Sequence, residues 1–278
     1  MSSTRANTRT TGSGPEVILL HSSGSSGRQW DPLVSRLHGR FRLHAVDLHG
    51  HGGTPAWSER RRLRLEDDAA LVVPLLHAAG GAHLVGHSYG GGLALKLAAM
   101  YPSQVRSVVV YEPVLFRLLF DYHPRERAST EVTIAAASIR NWLERGDPQR
   151  SAQRFVDFWS GEGAWSGLPA AHRTVIAARM PAVVGHFHAL FNDTLLRADL
   201  ARLPMPVLCL MGTQTRRATR RIGELLRYAM PNAMHESLPA MGHMGPVTHA
   251  AAVNDRILRF LGAQTIQAGN DELALAVA

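Results

Sequence analysis

The residues of this sequence best placed to do chemistry lie in Gly86-His87-Ser88-Tyr89-Gly90. A serine with glycine two residues away on each side suits a hydroxyl displayed on a very sharp turn. A Cβ at either glycine would meet the neighbouring strand or helix, and the serine itself takes a strained backbone. Such a hydroxyl performs acyl transfer when four needs are met. A base must take its proton. A carboxylate must hold that base in the right tautomer and balance its charge. Preorganised N–H groups must receive the oxyanion. A cavity must exclude most water. The Tyr89 N–H, at the N-terminus of the helix expected to follow, is one such donor, because helix N-termini favour negative charge. Histidine is plentiful, at 15 residues, so the base has several candidates, among them His51, His87 and His243. His87 adjoins Ser88, and its side chain should leave the turn in the wrong direction. His49-Gly50-His51 and His186-Phe187-His188 lack an accompanying carboxylate or cysteine set, so no metal site is expected.

The elements that must position these residues follow from hydrophobic runs and helical periods. Strands are expected at 16–20, 41–46, 82–85, 105–111, 206–211 and 234–238. Helices are expected at 29–37, 65–78, 91–100, 219–228 and 250–261. Near-continuous apolar strands alternating with helices predict an α/β protein, a mostly parallel twisted sheet with helices on both faces. Ligands bind such sheets at the carboxyl ends of the strands. Ser23, Ser88, Glu112 and His243 all fall just after expected strands. The segment 47–54 reads as a glycine-rich turn bracing the floor of that site.

After the strand ending near Tyr111 the pattern changes. Residues 114–203 are rich in alanine, arginine and aromatics and read as helical. They are expected to form a lid, with 15–113 and 204–262 as the core. Some of Phe155, Phe158, Trp159, Trp165, Phe187 and Phe191 should line an apolar pocket, and the others should pack the lid onto the sheet. Residues 1–14, polar and without acidic groups, are expected to be a disordered leader. The tail, 263–278, is expected to be loosely ordered.

The 278 residues carry a net charge of +8 and an apolar fraction of 45%. Nearly all of the positive charge is arginine; Lys96 is the one lysine. The arginines are scattered, with no zinc spacing, RNA-binding signature or helix-turn-helix pattern, so no nucleic-acid partner is expected. No run of about 20 apolar residues suggests a membrane span. The single cysteine, Cys209, sits in an apolar run, reads as core filling and suits a reducing, cytoplasmic compartment.

Four pieces in order, His21-Ser22-Ser23-Gly24, the 47–54 turn, the 86–90 pentapeptide and Gly242-His243, resemble the α/β-hydrolase superfamily. The resemblance covers about residues 16–262 and points to the lid-bearing serine hydrolases, among esterases and carbon–carbon bond hydrolases. It implies Ser88 as nucleophile, His243 as base, and a lid between the sixth and seventh strands of the family's fold. It also implies an oxyanion hole made by the backbone N–H groups of Tyr89 and Ser23, with Gly24 as the alternative if Ser22 redirects the loop. The first departure from the family is the short segment before the first strand, where an antiparallel hairpin is usual. The second is the acid. A Gly-x-x-Asp turn is usual after the seventh strand, and here it is Gly212-Thr213-Gln214-Thr215. Glu112 is the expected substitute, since some similar hydrolases, including a subset of haloalkane dehalogenases, carry the acid at that strand end. Glu112 as a structural cap remains the other reading. The expected activity is cofactor-free hydrolysis of a small apolar carboxylic ester. Carbon–carbon hydrolysis of a 1,3-dicarbonyl-like substrate and a slow-turnover ligand-binding receptor are the alternatives. A dehalogenase is disfavoured, because it needs Asp at position 88.

Overall fold

Apolar runs without alternation bury both faces of the central strands of one seven-stranded sheet. A computed structural model describes residues 4–277, with side chains through Ile266. The strands are β1 (Thr8–Thr11), β2 (Glu16–Leu20), β3 (Arg42–Val46), β4 (Ala82–His87), β5 (Val105–Tyr111), β6 (Val207–Gly212) and β7 (Met234–Leu238). Their order is β1-β3-β2-β4-β5-β6-β7, antiparallel only between β1 and β3. α1 (Asp31–Leu37), α2 (Leu65–Ala79) and α3 (Tyr89–Met100) connect the first strands. Six helices are inserted between β5 and β6: α4 (Phe116–Tyr122), α5 (Arg127–Glu144), α6 (Pro148–Ser160), α7 (Ala170–Ala178), α8 (Met180–Phe191) and α9 (Arg197–Ala201). α10 (Arg217–Ala229), α11 (Gly245–Thr248) and α12 (Ala250–Val277) complete the chain.

Alternate strand residues feed two cores. Val17, Leu19, Val85 and Val109 pack with Leu33 and Leu37 of α1 and Val253 and Ile257 of α12. Ile18, Leu20, Leu84 and Val110 pack with α2, α3 and the inserted helices. The insertion is also tied down by charge. The ammonium of Lys96, on α3, is buried against Asp193 Oδ1 at 2.9 Å, Thr194 Oγ1 at 2.8 Å and Glu66 Oε1 at 2.7 Å. Among the described residues no single helix is long and apolar enough to cross a membrane.

Two terminal expectations need correction. The 1–14 leader, expected to be disordered, contains β1 at the edge of the sheet. Its polar composition hid a strand that is held by hydrogen bonds rather than by burial. The Asn7 N–H donates to Thr54 Oγ1 at 2.8 Å, its amide donates to Asp47 Oδ2 at 2.7 Å, and its carbonyl accepts the Asp47 N–H at 2.9 Å. One antiparallel strand therefore stands at the edge where the resemblance implies a hairpin. At the other end, α12 runs to Val277, through the segment expected to be loose. α3 starts at Tyr89 rather than at 91 because its glycines, poor helix formers in isolation, let the helix approach the sheet. A Cβ on Gly90 would lie 2.3 Å from the Leu20 carbonyl oxygen.

Candidate active site

β4 enters the sharp turn and α3 leaves it, with Ser88 at φ 57° and ψ −116°. That conformation costs a non-glycine residue about 1–3 kcal/mol. The turn is held by the Ser88 N–H donating to the Tyr111 carbonyl at 3.0 Å. A Cβ on Gly86 would sit 2.2 Å from the Gly90 oxygen, which is why small residues flank the serine. Ser88 Oγ lies 2.8 Å from His243 Nε2, and His243 Nδ1 lies 2.8 Å from Glu112 Oε2. A carboxylate only accepts, so Nδ1 carries a hydrogen, and Nε2 is left to accept the Ser88 hydroxyl. Glu112 follows β5 and His243 follows β7, so three strand ends meet at one rim of the sheet.

Glu112 is fully buried and sits at φ 42°. Its Oε1 accepts the Gly212 N–H at 2.9 Å, and its Oε2 accepts the Thr215 hydroxyl at 2.6 Å. Thr215 occupies the last place of the turn where the resemblance calls for aspartate. That post holds a hydroxyl that binds the Glu112 carboxylate, a partnership that carries no charge signal in the sequence. On the other side, Trp159 of α6 stacks over the His243 ring, centroids 4.0 Å apart.

The remaining histidines of this region are committed elsewhere. The His87 Nε2–H donates to the His243 carbonyl at 2.8 Å, and Gln29 Nε2 donates to His87 Nδ1 at 3.1 Å. Burial, with His243 nearby, holds its pKa well below the usual imidazole value. His51 donates from Nδ1 to the His49 carbonyl and accepts the Gly24 N–H on Nε2 at 3.0 Å. Burial and the neighbouring His186 and His21 push its pKa well down too. His21 donates to the Ser22 carbonyl and accepts the Leu48 N–H, and burial lowers it to about 4. The Gly24 N–H is thus already engaged with His51. Ser22, in a place where the family has glycine, bonds to Gln29 Oε1 through both its N–H and its hydroxyl. In the 47–54 turn, Asp47 accepts the Gly27 and Gly53 N–H groups at 2.7 and 2.9 Å. Burial alone would raise its pKa, but these bonds hold it below the usual value.

Ser23, Ser88 and His243 share the wall of a cavity of about 590 Å³ whose surface is mostly apolar, with Val156, Leu168, Ile176 and Val247 in its lining and Arg28, Gln29, His172 and Arg179 also at its wall. Of the six aromatics expected to divide between pocket and packing, Phe155 and Trp159 line it. Phe187 and Phe191 stack with Phe116 in the core, Phe158 packs edge-on against Trp159, and Trp165 is buried. A wider groove of about 1100 Å³ shares Trp159, Ser160, His243, Met244 and Thr248 with this cavity and carries Arg150, Arg154 and Arg216 beside Asp157 and Glu162. Among the described residues no group of three or more His, Cys, Asp or Glu is placed to hold a metal. Cys209 is buried in β6, and burial pushes its thiol up to about 12.

A parallel sheet with a serine on a strained strand-to-helix turn, an imidazole against it and an apolar cavity above defines an α/β-type hydrolase. The comparisons agree. A model described as "Alpha/beta hydrolase family" matches residues 17–256. A pimeloyl-[acyl-carrier protein] methyl ester esterase of Aeromonas hydrophila subsp. hydrophila is 35% identical over 257 residues, 90% of this chain and 97% of the relative. One of the same name from Chromobacterium violaceum is 28% identical, over 86% of this chain and 91% of the relative. An enol-lactonase structure from Burkholderia xenovorans LB400 superposes with a TM-score of 0.76 at 21% identity, covering 94% of this chain and 98% of that one, a likeness of fold. The chain belongs to the α/β-hydrolase family and is a carboxylic ester hydrolase.

Proposed function

We propose that Ser88, His243 and Glu112 act as a catalytic triad that cleaves an ester of an apolar acyl or alcohol group through an acyl-enzyme, without a cofactor. The observation that supports this best is the pair of 2.8 Å contacts running from Ser88 Oγ through the His243 ring to Glu112. His243 Nε2 takes the hydroxyl proton as Ser88 Oγ attacks the ester carbonyl. The imidazolium so formed is balanced by Glu112 and covered by Trp159, whose ring face favours a cation. The tetrahedral oxyanion rests on the N–H groups of Tyr89 and Ser23. His243 then returns the proton to the leaving alkoxide, and the alcohol departs. A water attacks the acyl-enzyme by the same steps, giving the acid and restoring Ser88. The inserted helices act as a lid that keeps the cavity apolar, and the lone buried thiol suits a cytoplasmic setting.

A slow-turnover receptor would follow from the absence of a carboxylate at 215. A carboxylate 2.8 Å from the imidazole favours turnover instead. Carbon–carbon hydrolysis would use the same groups and separates from ester cleavage only by substrate. A second reading, a carrier-bound ester, is favoured by the wide arginine-bearing groove that meets the cavity at His243, and by the relatives' name. The test is a serine-directed phosphonate with a chromogenic short-chain ester. Expected are fast turnover, its loss on labelling, and an adduct mapped by mass spectrometry to Ser88. Labelling elsewhere, or turnover surviving in Ser88→Ala, overturns the assignment. Methyl esters of a free and a carrier-linked acid, compared by kcat/KM, decide between the two substrate readings.

A further inference from the structure

Behind the Ser23 wall of the cavity stands a second polar set that the steps above leave unused. Ser23 Oγ is 2.8 Å from His186 Nδ1, and His186 Nε2 is 3.4 Å from Asp68 Oδ2. His186 on α8 and Asp68 on α2 are both fully buried, while Ser23 is half-buried at the cavity wall. Tyr89 belongs to the same set. Its hydroxyl donates to Asp68 Oδ2 at 2.6 Å, and its ring stacks on the His186 imidazole with centroids 3.6 Å apart. One imidazole from the insertion therefore touches both residues whose backbone N–H groups are assigned to the oxyanion. A second grip comes from Arg179, which donates to the Gly24 carbonyl at 2.9 Å.

The polarity of the set is ordered by Asp68. Its carboxylate accepts the Tyr89 hydroxyl and, on Oδ1, the His49 N–H at 3.0 Å. Because it can only accept, the His186 nitrogen facing it carries a hydrogen. At 3.4 Å this contact is longer than a hydrogen bond, and Nε2 has no hydrogen-bond partner among the described residues. Among the described residues the only close polar bond of this ring is thus the one to Ser23. A ring kept here for packing alone would be cheaper as phenylalanine, because a buried polar atom left unpaired is destabilising.

We propose that His186 is a positioning residue for the oxyanion hole, holding Ser23 through its hydroxyl and Tyr89 through its ring so that the hole is complete only while the lid is seated. This rests on the assignment of Ser88, Ser23 and Tyr89 made above. Donors stabilise an oxyanion only when already aimed, and a misplacement of about 1 Å costs about 100-fold in rate. The stretch from His21 to Ser26 belongs to no helix or strand, so its aim comes from outside contacts.

The test is a double-mutant cycle on the full chain with a chromogenic ester: His186→Phe, which can still stack on Tyr89 but cannot bond Ser23, Ser23→Ala, and the pair. His186→Phe should lower kcat about 10- to 100-fold with KM within about twofold, and should weaken a boronic-acid transition-state analogue by the same factor. Ser23→Ala, at the cavity wall, should act alike, and the double variant should be no worse than the worse single. His186→Asn, which keeps a polar atom toward Ser23, should recover part of the loss. Multiplying effects, or a kcat within twofold of the parent in Ser23→Ala, overturn the proposal, and the Ser23→Ala arm stands even if His186→Phe fails to fold. Activity surviving in Ser88→Ala would instead strike the assignment beneath. An inactive Ser88→Ala beside multiplying effects strikes this inference alone.

Discussion

Glu112→Gln asks whether the relocated carboxylate works as a triad acid. Glutamine keeps the shape but has one acceptor oxygen where Glu112 accepts three hydrogens, from Gly212 N–H, the Thr215 hydroxyl and His243 Nδ1–H. If the amide oxygen faces His243, the NH₂ group meets the Gly212 N–H at about 2.9 Å, two donors in a buried site. If it faces Gly212, the NH₂ group meets Nδ1–H, and the ring must move its hydrogen to Nε2, which then cannot accept from Ser88. In both arrangements the charge that balances the imidazolium is gone. Losing a triad acid typically costs about 10⁴ in turnover, and at least 10³ is expected here, which is about 4 kcal/mol of transition-state stabilisation. The assay is kcat at saturating ester, paired with the rate of phosphonate labelling at Ser88 and a circular dichroism spectrum to show that the fold is kept. Labelling should slow with kcat, since both need the base. A loss below tenfold with an intact fold would remove Glu112 from the triad and leave it as a structural cap.

Other outcomes follow from the same geometry. Lys96→Met leaves the Asp193 carboxylate buried without its partner, which should destabilise the fold by about 3–5 kcal/mol; thermal denaturation reads it, and Asp193→Asn in that background should restore part. Trp159→Leu removes the ring over His243, a contact with a cation worth about 0.5–2 kcal/mol, so kcat should fall about tenfold with the nucleophile still labelled by phosphonate. Burial lowers His83 and His21 from 6.5 to about 4. The unfolded chain then binds more protons between those values, and stability falls as pH drops from about 6.5 toward 4. At about 1.4 kcal/mol per pH unit, each contributes up to about 3 kcal/mol, so Tm should fall steeply from pH 7 to 4.5, less so in His83→Gln; a flat Tm contradicts it.

Much of the sheet was legible because burial on both faces leaves a strong mark: 105–111 is a strand at the residues expected. The edge strand 234–238 also falls where expected, though only Leu238 is buried. Ser88 was legible for a local reason, since the sharp turn demands glycine on both sides. Other features depend on partners far along the chain. β1 is polar and reads as a leader until Asn7 meets Asp47 and Thr54. His186 carries no spacing signal as a partner of Ser23, because 163 residues separate them. The His186-Phe187-His188 triplet, which lacks the carboxylate or cysteine set of a metal site, gives no other signal; in the fold His51 and His186 stack, 4.7 Å apart, with ring nitrogens turned to Gly24, His49 and Ser23. Phe155 and Phe187 have the same composition signature, and only the path of the insertion decides that one faces the cavity and the other the core.

In the proposed triad the acid has moved by one strand without moving far in space. β5 lies between β4 and β6, so a carboxylate from the end of β5 or from the turn after β6 approaches the same imidazole. The 2.6 Å between Thr215 Oγ1 and Glu112 Oε2 shows the two posts to be adjacent. Two carboxylates that close cannot both stay ionised; one is forced to take a proton. Threonine at 215 is therefore the complement of glutamate at 112, giving a donor where an aspartate would repel. Thr215→Asp alone should lower kcat, because it removes the hydroxyl that donates to Glu112 Oε2 and crowds a second carboxyl against the first. Thr215→Asp with Glu112→Ala should regain at least tenfold over Glu112→Ala, since the carboxylate then enters vacated space beside Nδ1. If the double variant is no better than Glu112→Ala while the fold is kept, the two posts are not equivalent, and Glu112 acts by something more than placing one negative charge at the ring.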